Sequence, residues 1–164
     1  MTLGRVLVAV HQDNWILKMV GDVRMTLCNT IDYCLQNMFD KADFDGVIVD
    51  LTETEGIDST SLGLLAKLSI KTRKRIGKVP TIVSTNADIT RTLESMGFND
   101  RIFKIISEQS SRPGDLSEVP SLELNEEHAR KNVLEAHQIL MELSDANKGK
   151  FQDLVTELES LSKP

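Results

Sequence analysis

Val49-Asp-Leu-Thr-Glu-Thr-Glu-Gly-Ile-Asp-Ser-Thr-Ser-Leu-Gly-Leu-Leu65 is the stretch on which the reading of this chain turns. Gly46 to Leu51 is a short apolar run suited to a buried strand. Leu62, Leu65, Ala66 and Ser69 then recur at helical spacing, so a helix is expected to begin near Asp58 or Ser59. The first four N–H groups of a helix lack intrahelical partners, and the terminus carries about half a positive charge, so oxygen-bearing side chains suit this position. One cap would suffice. Here Asp58, Ser59, Thr60 and Ser61 stand in a row, and at least two of them are expected to face outward with no capping task. Taken alone, that spacing reads either as redundant capping or as a place for a regulatory phosphate.

The surrounding residues choose between these. Asp50-Leu-Thr52, five residues, then Asp58-Ser59-Thr60, Leu62 and Gly63 resembles the signature of STAS-domain anti-sigma factor antagonists, Asp-Leu-Ser, a short loop, then Asp-Ser-Ser-Gly-Leu-Gly. The chain departs from it at Ser61, where glycine is usual, and at Gly56, where a bulky apolar residue is common. Val20-Gly21-Asp22-Val23 looks like the family's second strand passing into its first helix. Asn86-Ala-Asp, Leu93, Met96-Gly97-Phe98-Asn99-Asp100 and Phe103 look like its third helix, glycine stop and last strand. The likeness spans residues 5–106.

The resemblance implies an α/β, SpoIIAA-like fold, with a mixed sheet of about five strands and helices mainly on one face. It also implies partner switching. The dephosphorylated protein binds an anti-sigma factor or similar regulator, a cognate serine kinase phosphorylates Ser59 and releases it, and a PP2C-type phosphatase restores the first state. Asp58, Ser59, Thr60, Ser61 and Leu62 would form the partner-binding surface, with Thr60 and Ser61 as rival acceptors. A competing reading is a STAS scaffold or small-ligand module that works without phosphorylation, for which kinase treatment would leave the mass unchanged. The acidic helical tail is similar to HsbA-like members, which control biofilm formation or motility.

Composition supports one domain with an appendage. Residues 1–107 carry 13 acidic and 13 basic side chains, whereas residues 108–164 carry 12 acidic and 6 basic, so the whole net charge of −6 lies in the tail. A neutral domain with an acidic appendage argues against nucleic acid or an anionic membrane as main partner. Met1 to Val10 shows no signal-peptide pattern and no apolar run approaches a membrane span, so a cytoplasmic location is expected. Aromatics are scarce, which leaves the core to Leu, Ile, Val and Met, with Trp15 in a packing role. The cluster Lys71, Arg73, Lys74, Arg75 and Lys78 falls at the end of the helix that starts near Ser59, where cations complement the dipole.

Arg5 to Val10 and Trp15 to Val20 read as an antiparallel strand pair joined by a polar turn at His11 to Asn14. Gly21-Asp22 is expected to open a helix with the stripe Val23, Leu27, Ile31, Cys34, Leu35 and Met38. Pro80 to Ser84 and Ile102 to Ile106 are further short strands, giving the order ββαβαβαβ. The expected domain covers residues 1–107, a Ser/Pro/Gly-rich linker 108–121 and an acidic helical extension 122–164. In the extension, Ala129, Val133, Ala136, Leu140 and Leu143 form one seam. Phe151, Leu154, Val155, Leu158 and Leu161 form another beyond a turn at Asn147 to Gly149. Two such helices need a surface to bury their stripes: their own domain, a second copy in a homodimer, or a partner.

Other chemistries find little support. Gly-x-Ser-x-Gly and the phosphate-cradling glycine loops are absent, and His11, His128 and His137 are scattered, none near Ser59 in sequence. His128-Ala-Arg-Lys131 has some likeness to a histidine phosphotransfer segment, but that site belongs on a four-helix bundle and two helices are available. Cys28 and Cys34 lie about 240° apart around a helix, so they are expected to be buried thiols that neither bridge nor share a metal. No enzyme activity, cofactor or metal is expected.

Overall fold

The strand that begins at Gly46 organises the molecule. The computed structural model describes residues 2–41, 43–108 and 116–162, with Lys41 and Ser162 described by backbone alone. Met1, Ala42, residues 109–115 with the Pro113-Gly114 of the expected linker, Lys163 and Pro164 lie outside the described residues. β1 (Arg5–His11), β2 (Asn14–Val23), β3 (Gly46–Ile57), β4 (Thr81–Val83), β5 (Lys104–Ile106) and β6 (Ser117–Glu118) form one sheet in the order β5-β4-β3-β2-β1-β6. β2–β3, β3–β4 and β4–β5 pair in parallel, while β1 pairs antiparallel with both β2 and β6. The turn from β1 to β2 places Gln12 and Asp13 at positive φ, 50° and 63°, the backbone that lets a two-residue hairpin follow the strands' right-handed twist.

Val47, Val49 and Leu51 are buried on β3, as expected for a strand with neighbours on both sides. β3 does not end at Leu51. It runs on through Thr52–Ile57, which sequence reading takes as loop, because β2 also runs on and pairs Gly21 with Thr54, Asp22 with Gly56 and Val23 with Ile57. Thr54 is buried there, its hydroxyl donating to the Met19 carbonyl at 2.7 Å. Gly21-Asp22 consequently ends a strand instead of opening a helix. A 3₁₀ turn at Met25–Leu27 follows, and the helix α1 spans Cys28–Lys41. The sixth strand is the other addition: Ser117–Glu118, inside the expected linker, pairs with Leu7 and Val8 on β1.

α2 (Ser59–Ile76) buries Leu62, Leu65, Ala66 and Ser69, the stripe expected of it, and ends at Gly77, whose φ of 70° suits the left-handed closure that glycine accepts without strain. The basic residues at this end reach nearby groups: Arg73 donates to the Arg101 carbonyl at 2.9 Å, Arg75 to the Phe39 carbonyl at 2.5 Å, and Lys71 lies over the Phe39 ring. α3 (Ala87–Ser95) is capped by Asn86, which accepts from Asp88 N–H at 2.8 Å and Ile89 N–H at 3.4 Å.

Beyond β6, α4 (Glu126–Leu143) and α5 (Asp145–Ser162) form a helical hairpin. The break falls at Ser144, not at Asn147 to Gly149: Ser144 Oγ accepts from Asn147 N–H at 3.1 Å and caps α5, leaving Asn147 inside the helix. Asn147 is buried and donates to the Met96 and Leu140 carbonyls at 2.8 and 2.9 Å, fixing the hairpin's bend against the domain. Ala129, Ala136, Leu140 and Phe151 join the same apolar cluster as the sheet and α1 to α3. Of the three surfaces open to the hairpin in sequence, its own domain is therefore the one it covers.

Candidate functional site

β3 delivers Asp58 to the start of α2, and the pairing of Asp58 N–H with the Val23 carbonyl at 3.1 Å pins that point to the end of β2. Asp58 is the N-cap. Its Oδ1 accepts from Ser61 N–H at 2.9 Å, and its Oδ2 accepts from Met25 N–H at 2.6 Å. Both oxygens are thus committed, one to α2 and one to the turn before α1, and the carboxylate fixes the geometry around the next residue. Asp50, the first acid of the opening stretch, is buried in β3 and accepts from the Thr52 N–H at 2.8 Å and hydroxyl at 2.6 Å.

The four consecutive polar residues separate sharply. Asp58 and Ser59 are half-buried, whereas Thr60 and Ser61 are 4% and 0% exposed, and Leu62 is buried in the core. The expectation that at least two of these side chains face outward with no capping task is not met: Asp58 is the cap, Thr60 and Ser61 are buried, and Ser59 alone stands at the rim without a capping role. Ser61 Oγ has no hydrogen-bond partner among the described residues. Of the five residues expected to form a partner surface, then, the described side chains bring only Asp58 and Ser59 near solvent.

Ser59 meets a residue from the far end of the chain. Its Oγ lies 2.8 Å from His137 Nε2 on α4, and His137 Nδ1 lies 2.7 Å from the Val133 carbonyl. A carbonyl can only accept, so Nδ1 carries a hydrogen; with no second hydrogen on the ring, Nε2 accepts and the Ser59 hydroxyl donates. His137 is 2% exposed, with the Phe151 ring of α5 packed edge-on at 5.1 Å. The pair has a nucleophile–base spacing, yet the ring is oriented by a backbone carbonyl and not a carboxylate. The Ser61 and Leu62 N–H groups beside it are already taken by Asp58. His128, by contrast, is exposed on α4.

Polar links surround this contact. Asn132 Nδ2 donates to Asn29 Oδ1 at 2.9 Å, and Asn29 Nδ2 donates to the Asn125 carbonyl at 3.3 Å. Lys67 on α2 pairs with Asp32 on α1 at 3.1 Å and with Glu135 on α4. Burial alone would push the Lys67 ammonium down, but its hydrogen bonds to Glu135 and Asp32 and their charges more than offset this, and its pKa is raised. At Gly63 the two helices come close enough that a methyl group would sit 2.5 Å from the Ala136 Cβ, so glycine is required where α4 crosses α2.

Sequence reading missed His137 and Asn132. Both lie beside the expected seam of α4, but nothing in the chain's local pattern ties His137 to a serine 78 positions earlier. Cys28 and Cys34 are buried free thiols, as expected, and burial pushes Cys34 up to about 11. Among the described residues no group of three or more His, Cys, Asp or Glu side chains is placed to hold a metal, and no helix is long and apolar enough to cross a membrane.

Comparison with known proteins agrees with this architecture. The protein TM1081, solved by NMR, is 24% identical, with a TM-score of 0.50 over 60% of this chain and 78% of its own. A Moorella thermoacetica RsbS variant carrying a serine-to-glutamate substitution is 17% identical, with a TM-score of 0.51 over 63% of this chain and 87% of its own. Comparison with curated proteins finds no match. The family model of the STAS domain matches residues 5–111, β1 through β5 with α1 to α3, and leaves α4 and α5 outside it. By that match over most of its length, joined to the strand order and the Asp58-Ser59 helix start, the chain belongs to the STAS-domain family.

Proposed function

We propose that the protein is an anti-sigma factor antagonist controlled by phosphorylation of Ser59. With Ser59 free it binds an anti-sigma factor or similar regulator through the start of α2; a cognate serine kinase ends that association and a PP2C-type phosphatase restores it. The observation that carries this reading is the sorting of hydroxyls at one helix start: Ser59 stands half-buried at the rim while Thr60 and Ser61 point into the domain. That difference in burial supports Ser59 as the acceptor, since phosphorylating Thr60 or Ser61 would require the first turn of α2 to open.

The added group brings about −1.5 to −2 charges. The helix terminus favours that charge, but Asp58, fixed alongside by two hydrogen bonds, opposes it. Phosphorylation also replaces the hydroxyl hydrogen, so Ser59 can no longer donate to His137. A loss of about 3 kcal/mol at the interface would lower affinity more than a hundredfold, enough for a switch.

The test is a pull-down with Ser59→Ala against Ser59→Asp full-length protein, followed by mass spectrometry of the difference. A regulator held by the alanine variant and lost from the aspartate variant is expected. Equal capture by both would refute the mechanism, and phosphopeptide mapping that finds phosphate on Thr60 or Ser61 would move the acceptor.

A further inference from the structure

The face of α2 next to Ser59 is already occupied. α4 lies along it, and the residues α4 buries against α2 and its other neighbours together are Ala129, Asn132, Ala136, His137 and Leu140. Two are alanines, two are polar and one is a leucine. Alanine contributes the least apolar area of the buried aliphatic residues. Hydrogen bonds such as Asn132 to Asn29 and Ser59 to His137 exchange for bonds to water at a small net cost. The Lys67–Glu135 link is likewise one that solvent can replace, Glu135 being 37% exposed. Between β5 and α4 the described residues 116–125 meet the domain through the two-residue pairing of β6 with β1 and through single hydrogen bonds, from Val119 N–H to the Val6 carbonyl at 2.8 Å, from Leu122 N–H to Thr30 Oγ1 at 3.0 Å and from Asn29 Nδ2 to the Asn125 carbonyl at 3.3 Å.

The shape of the contact is specific although small and polar side chains make up most of the fully buried face of α4. Gly63 admits only a small residue, and Ala136 fills that place; Lys67 faces an acid one residue earlier in α4. We propose that α4 is a displaceable cover that holds in cis the docking groove of α2. The partner that takes its place supplies a helix with a small residue against Gly63 and an acid against Lys67. This rests on the reading of the Ser59 face as the partner surface. It adds that the surface is closed by the chain's own tail, so the hairpin must move before Ser59 meets either a regulator or a kinase.

Two full-length variants alter only the cover. Ala136→Leu puts a bulky side chain over Gly63, and Glu135→Lys sets a like charge against Lys67. In hydrogen–deuterium exchange, α4 and α5 amides of both variants are expected to exchange at least about tenfold faster than in the wild type, with β2 and β3 unchanged. A labelled peptide of residues 122–162 serves as probe for the vacated groove. It is expected to bind each variant at least about tenfold more tightly than the wild type, because affinity scales with the fraction of open molecules. Adding Gly63→Ala to Glu135→Lys is expected to remove that binding.

Exchange that rises together in α4 and β3, or a peptide that binds wild type and variants alike or binds none, would overturn the proposal. Neither measurement contains a regulator, so such a result leaves the Ser59→Ala and Ser59→Asp contrast standing. Failure of that contrast with the exchange results intact would instead remove the identity of the partner surface.

Discussion

Ser61→Ala is expected to stabilise the protein, against the general tendency of substitutions in a buried helix. Ser61 is fully buried in the first turn of α2, and its Oγ has no partner among the described residues. A buried hydroxyl left unpaired costs about 1–3 kcal/mol. Removing the oxygen opens a void on the order of 10 Å³, which at about 24 cal/mol per Å³ returns only some 0.2–0.3 kcal/mol. The backbone N–H of residue 61, which Asp58 accepts from, is untouched. The net gain is about 1–2.5 kcal/mol, or roughly 2–10 °C in Tm for a chain of this size. A second buried serine of the same helix provides the contrast. Ser69 Oγ donates to the Ile102 carbonyl, so Ser69→Ala strands that carbonyl and is expected to destabilise by about 1–3 kcal/mol. Differential scanning calorimetry and urea titration of the two variants measure both signs. A Ser61→Ala protein that melts at or below the wild-type temperature would refute the assignment of Ser61 as an unpaired group.

Asp58→Ala removes a helix cap and a hydrogen bond to Met25 N–H, and is expected to cost about 2–4 kcal/mol in urea denaturation, with Asp58→Asn retaining part of it. Leu140→Ala, at the deepest point of α4, is expected to cost about 2–5 kcal/mol, read as an earlier loss of α4 and α5 protection in hydrogen exchange. The Cys34 thiol is held up at about 11 by burial, against an ordinary value of 9.0. A pKa raised in the folded state favours the protonated form there, so its contribution is intact below pH 9 and is lost as pH rises toward 11. That loss amounts to about 2–3 kcal/mol across the window. Urea midpoints measured at several pH values from 8 to 11 would show it, and the Cys34→Ala protein should lose that part of the slope.

Much of the fold was legible because its signals are local. The apolar run from Gly46 to Leu51, the stripe of Leu62, Leu65 and Ala66, and the polar turn at Gln12-Asp13 each report a backbone state within a few residues. The extension of β3 through Thr52-Glu-Thr-Glu was not legible, since a threonine satisfied inside the core by the Met19 carbonyl looks the same in sequence as one in a loop. The same holds for Ser144: a single serine cap ends α4 while the more loop-like Asn147-Lys148-Gly149 is helical, because Asn147 finds its acceptors across the bend.

By itself the sequence determined that hydroxyls gather at a helix start beside an acid, that the domain is neutral and the tail acidic, and that the tail carries two amphipathic helices. Only the tertiary structure decided which hydroxyl stands at the rim, and that the tail lies over it. Rotation around the first turn of α2, set by the packing of Leu62 and Leu65 into the sheet, turns Thr60 and Ser61 inward and leaves Ser59 facing α4. The contact with His137 depends on a close crossing at Gly63 and Ala136, a match of two surfaces far apart in the chain, and no local pattern encodes the distance between them.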